Sequence, residues 1–184
     1  MKRRVFIAGI ILFAALGIGA SADEAAAQPS PASLDGLTPD QLMSLADQWG
    51  MNSEENKMTI WTSSRAFNFV FADGSRTVTA MPDDRMVVSI APYVMKTHPC
   101  RGHYPSTCRG ELVSTPVHVV AVTSEGRKLL DVNTTTLQNG FVDVWLPRDL
   151  RVDVTMEARG LKATERIGTS DEDNTCVTAL KLHY

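Results

Sequence analysis

The chain has 184 residues, 43% of them hydrophobic, with a formal net charge of −3 and three cysteines. That length suits one domain, or two small ones sharing a core. The mildly acidic balance, without a basic cluster, argues against nucleic acid and anionic membrane surfaces as partners, and the odd cysteine count excludes a fully paired disulfide framework.

Lys2, Arg3 and Arg4 precede an apolar run from Val5 to Ala20, followed by Ala20-Ser21-Ala22. This is the pattern of a cleavable signal peptide over residues 1–22. The run is shorter than the ~20 residues that cross a bilayer, and no cysteine at the cleavage point suggests a lipoprotein. Cleavage would remove three basic residues and take the net charge from −3 to −6. A periplasmic or secreted protein in an oxidising compartment is expected, with no membrane association after cleavage. Residues 23–34, rich in Ala, Pro and Ser, read as a disordered spacer.

Thr38-Pro39-Asp40-Gln41 opens a short amphipathic helix, with Thr38 as N-cap, Pro39 at the first helical position and Gln41 closing a capping box. Leu42, Leu45, Ala46 and Trp49 follow at helical spacing, and Gly50 reads as the stop. From Met58 the pattern becomes β: Thr59 to Trp61, Phe67 to Phe71, a hairpin turn at Asp73-Gly74, Arg76 to Ala80, and Met86 to Ala91. Phe67, Phe69 and Phe71 at period two predict a buried sheet face.

A Pro- and Gly-rich loop from Thr97 to Leu112 interrupts the strands and holds His98, Cys100, His103 and Cys108. Beyond it, Glu111 to Thr123, Lys128 to Val132, Phe141 to Leu146, Leu150 to Met156, Lys162 to Ile167 and Cys176 to Leu182 read as short strands between polar turns. That spacing argues for an antiparallel sandwich. Trp145 breaks the alternation of its strand. The expected fold class is α+β, mainly β: a short N-terminal helix with a small antiparallel sheet over 35–96, then the metal loop and a C-terminal antiparallel β-sandwich over 97–184.

Two readings of the cysteines stand side by side. Cys100 and Cys108 can form a disulfide that pins the loop, leaving Cys176 inert. Alternatively, Cys176 completes a soft three-sulfur site suited to Cu(I) or Zn(II). His98 and His103 are candidate capture ligands or hydrogen-bonding supports of the loop. His118, inside an apolar strand, is expected to face solvent, and His183 near the end to be inert. Packing is the default for every methionine except Met95, which approaches the loop. Glu111 is a candidate supporting residue, and Arg101 and Arg109 could lower thiol pKa by their charge. No hydrolase or nucleotide-binding motif is present, so the chain is not expected to be an enzyme.

The run Thr97-His98-Pro99-Cys100, then His103, then Thr107-Cys108-Arg109-Gly110-Glu111-Leu112, with Asp173-Asn174-Thr175-Cys176 near the end, resembles the CueP family of periplasmic copper-binding proteins. The resemblance covers nearly the whole chain beyond the signal peptide. It implies Cys100, Cys108 and Cys176 as copper-handling thiols, with Cu(I) the preferred ion. It also implies copper resistance and delivery to exported enzymes such as a Cu/Zn superoxide dismutase. Thiolate chemistry adds that reduced cysteines can convert Cu(II) to Cu(I), after which a periplasmic thiol-disulfide reductase would reopen the disulfide. Homodimerisation is left open. The competing reading is a zinc-binding or disulfide-stabilised β-sandwich interaction module.

Overall fold

The computed structural model describes residues 29–184. The signal-peptide reading over 1–22 and the first part of the spacer lie outside the described residues. The described end of the spacer is not disordered: Pro31–Leu34 form a 3-10 turn with Leu34 buried, because this leucine joins the main core and repays the ordering of its backbone.

Helix α1 (Pro39–Met51) starts as its sequence dictates. The Gln41 N–H donates to Thr38 Oγ1 (3.3 Å), and the Thr38 N–H donates back to Gln41 Oε1 (2.9 Å). It buries Leu42, Met43 and Ala46. The helix runs through Gly50 rather than stopping there, and a one-turn helix α2 (Ser53–Asn56) follows.

Strands β1 (Thr59–Thr62), β2 (Ala66–Val70) and β3 (Arg76–Ala80) form a three-stranded antiparallel sheet. Phe67, Phe69 and Phe71 are buried, as their period-two spacing predicts. A second sheet pairs β4 (Arg85–Ile90) antiparallel with β7 (Val142–Pro147) and parallel with the two-residue β10 (Cys176–Val177). The third sheet has the order β6-β5-β8-β9, from β5 (Pro116–Thr123), β6 (Lys128–Thr135), β8 (Arg151–Ala158) and β9 (Leu161–Gly168).

One apolar cluster joins side chains of α1 and all three sheets, among them Phe67, Met86, Val88, Val119, Leu146 and Met156. The boundary between 96 and 97 separates β4 from β7, two neighbours of one sheet, so residues 35–96 and 97–184 share a hydrogen-bonded frame. Trp145 is no exception to the packing logic. Its ring lies against Phe67 (6.3 Å between centroids), and the Arg85 guanidinium sits 4.6 Å from its centre. Among the described residues, no helix is long and apolar enough to cross a membrane.

Candidate metal centre

The loop from Thr97 to Leu112 is irregular in shape but held at both ends and across its middle. The Glu111 carboxylate accepts the N–H groups of Val94 (2.9 Å), Met95 (2.8 Å) and Lys96 (3.0 Å), fixing the approach to the loop. Those bonds favour the charged carboxylate and hold its pKa below the ordinary value. Arg109 staples the far side, donating to the carbonyls of Pro105 (3.0 Å), Ser106 (3.1 Å) and Cys108 (2.8 Å). At the centre, the Thr62 N–H donates to the His103 carbonyl (2.8 Å), tying the loop to β1.

Cys176 reaches this loop from far along the chain because β10 lies parallel to β4. Its N–H donates to the Arg101 carbonyl (3.1 Å). The buried Thr175 hydroxyl donates to the Thr62 carbonyl (2.9 Å) and accepts the His103 N–H (3.2 Å). Thr178 closes the outer side by donating to the His98 carbonyl (2.6 Å). Three segments distant in sequence are therefore cross-tied through main-chain atoms and the Thr175 and Thr178 hydroxyls, and none of these ties uses a cysteine or histidine side chain.

Those side chains converge. Cys100 and Cys176 form a disulfide with Cα atoms 5.6 Å apart, and the free Cys108 Sγ lies 3.4 Å from Cys100 Sγ. The pairing differs from the Cys100–Cys108 disulfide considered from sequence, because β10 brings Cys176 onto the same point. Donor atoms of His98, Cys100 and Cys108 lie within 4.8 Å of one another, as do those of His103, Cys108 and Cys176. Phe141, fully buried, forms the apolar floor with Ala91, and its ring centre is 4.5 Å from that of His103 and 6.4 Å from that of His98.

The imidazoles carry the clearest sign of a ligand site. His103 has no exposed surface, and neither of its ring nitrogens has a hydrogen-bond partner; His98 Nε2 is likewise buried and unpartnered. Buried polar atoms are nearly always paired, and in each neutral ring one nitrogen keeps a lone pair that could coordinate while the other carries the N–H. Burial lowers the His103 pKa to about 4, which keeps the ring neutral and able to coordinate.

Two carboxyl groups lie beneath it. Asp47 Oδ1 of α1 is 3.9 Å from His103 Nε2, and Asp143 of β7 accepts from the Ser89 hydroxyl (2.5 Å). Burial raises both carboxyl pKa values, and the Asp47 carboxyl raises that of Asp143 further.

Sequence reasoning missed Phe141, Asp47 and Asp143. Each fell within a segment read as helix or strand on its own pattern, without reference to the loop.

Burial also sets the Cys108 thiol. Its pKa is raised, since desolvation outweighs the nearby Arg109 charge, so the expected lowering by arginine is not the net result. Outside the cluster, His118 is half-exposed and bonded through Nε2 to Asp131 (2.7 Å), and His183 is exposed. Met95 is 79% exposed, its backbone held by Glu111.

Sulfur and neutral imidazole gathered over an apolar floor are a donor set suited to a soft metal, on a β-rich frame. The family model for the periplasmic copper-binding protein CueP matches residues 44–181, three quarters of the sequence, and the chain belongs to that family. The crystal structure of S.CueP superposes with a TM-score of 0.75 at 29% identity, covering 83% of this chain and 92% of that one. No curated protein matches the sequence significantly.

Proposed function

We propose that this protein sequesters Cu(I) through Cys100, Cys108 and Cys176, with His103 and His98 as imidazole donors, and that it can reduce Cu(II) as it binds. The observation that carries this reading is the convergence of three sulfurs with two unpartnered buried imidazoles. Thiolate and thioether sulfur select Cu(I), and a neutral ring adds a donor without adding charge.

The redox step balances within the site. Two Cu(II) ions each accept one electron from a thiol pair, yielding two Cu(I) ions, one disulfide and two protons. The Cys100–Cys176 disulfide is the oxidised product such a step would leave. Reopening it calls for an external thiol donor, in keeping with a periplasmic thiol-disulfide reductase as partner. In this reading the protein is a binder rather than a turnover enzyme. It supports copper resistance and passes Cu(I) to exported copper enzymes such as a Cu/Zn superoxide dismutase.

The test is an anaerobic titration of the reduced protein with Cu(I) against a competing chelator, beside Cys100→Ser, Cys108→Ser and Cys176→Ser. Loss of a support around a metal ligand costs up to ~100-fold in affinity, so loss of a directly bound sulfur should cost about 100-fold or more. Unchanged uptake in the mutants would make the thiols structural. The Cys100–Cys176 disulfide, which fastens the loop to β10, favours a second reading as a disulfide-stabilised interaction module. That module would lose stability in Cys176→Ser, which breaks the link, while the reduced protein would take up Cu(I) no more tightly than the three variants.

A further inference from the structure

Cys100 occupies a different position from the other two cysteines. Its sulfur is paired with Cys176 and lies 3.4 Å from the free sulfur of Cys108, close to van der Waals contact. Cys108 and Cys176 are both buried and anchored through their backbones, Cys108 by an N–H donated to the Tyr104 carbonyl (2.7 Å) and Cys176 by its place in β10. Cys100 is only half-buried, and it precedes Arg101-Gly102 in the irregular part of the loop.

Two cavities meet at this residue. A groove of about 990 Å³ is lined by Cys100 and Cys176, whereas a smaller pocket of about 430 Å³ is lined by Cys100 and Cys108. Cys100 is the one cysteine that borders both.

We propose that the protein performs an internal thiol–disulfide exchange in which Cys100 is the shared sulfur and Cys108 and Cys176 alternate as the free thiol. The Cys108 thiolate attacks Cys100 Sγ. A Cys100–Cys108 bond forms, the Cys100–Cys176 bond breaks, and Cys176 leaves as a thiolate that takes up the proton Cys108 lost. Nothing is oxidised or reduced overall, and no co-reactant enters. The exchange moves the free thiol from the small pocket to the large groove.

In either form the free sulfur stays beside His103, because His103, Cys108 and Cys176 lie mutually within 4.8 Å. The chain can therefore hold its one free thiol against either of two cavities, whichever disulfide it has formed. The inference stands on the sulfur geometry alone, so it is tested without copper and can fail independently of the copper-binding reading.

The experiment starts from metal-free full-length protein, oxidised with glutathione disulfide to one free thiol per chain and incubated in chelator. Acid quenching, labelling of the free thiol with a maleimide in denaturant and peptic mapping by mass spectrometry then locate the label. It should divide between Cys108 and Cys176, with Cys100 labelled about tenfold less than either, because the central sulfur is bonded in both isomers. Label confined to a single cysteine, or Cys100 labelled as readily as the others, would overturn the proposal. As a second measurement, Cys176→Ser should oxidise to an intramolecular Cys100–Cys108 disulfide, and a folded Cys176→Ser that stays fully reduced under the same oxidant would also overturn it.

Discussion

His103 shows how burial decides chemistry at the scale of one residue. Its ring is enclosed by Phe141, the cysteine sulfurs and Asp47, and desolvation of the charged form lowers its pKa to about 4 from the ordinary 6.5. A group with a depressed pKa contributes stability above its unfolded value, here 6.5, and that stability is lost as pH falls toward the folded value. The His103 imidazole should therefore remain neutral at pH 6 and protonate near pH 4, as followed by its ring carbon and nitrogen chemical shifts in the metal-free protein. Titration at about 6.5 would mean a solvated ring and no enclosed site. Asp47 and Asp143 shift the other way for the same reason, burial, so the neutral ring rests on carboxyl groups that resist ionising.

At the scale of elements, α1 and the loop are fitted to each other at Gly50. A Cβ placed there would lie 2.5 Å from Pro105 Cβ and 2.6 Å from its carbonyl carbon. Gly50→Ala would gain about 1 kcal/mol in helix propensity, but the backbone clash costs roughly 1–3 kcal/mol. A net loss is expected, with amide shifts concentrated in Tyr104–Cys108; a stabilised variant with an unmoved loop would contradict this packing.

The Glu111 clamp acts at the same scale. Its pKa is held below 4.5 by bonds from Lys96, Met95 and Val94, so its contribution is present above pH 4.5 and disappears as pH falls through the lower folded value. Glu111→Gln should cost roughly 1 kcal/mol at neutral pH, given solvent screening. It should also abolish the acid-induced loosening of residues 94–96 seen by hydrogen exchange in the wild type.

For the whole molecule, the Cys100–Cys176 link closes a loop of 76 residues that contains the third sheet and strand β7 of the second. In the chain-entropy account a loop of that length is worth about 4 kcal/mol. Urea unfolding of the oxidised protein should show a midpoint lowered by reduction, and equal midpoints would mean that the β frame alone sets stability.

What the sequence by itself determined was local. The capping box at Thr38 and Gln41, the Asp73-Gly74 hairpin and the buried face of Phe67, Phe69 and Phe71 follow from neighbours within a few residues. The three cysteines and two histidines could likewise be picked out by residue type and loop context. The strand expected over Glu111 to Thr123 begins only at Pro116, because the backbone turns before it, with Ser114 at φ 44. The strand expected over Cys176 to Leu182 shrinks to β10, since beyond Val177 the chain makes only isolated bridges.

Only the tertiary structure decided that Cys176 meets Cys100, that Gly50 is a contact rather than a stop, and that Phe141, Asp47 and Asp143 surround His103. The physical reason is common to all of these. They depend on pairings between segments tens of residues apart, above all the parallel alignment of β10 with β4, and no local periodicity encodes which distant backbone a short strand will join.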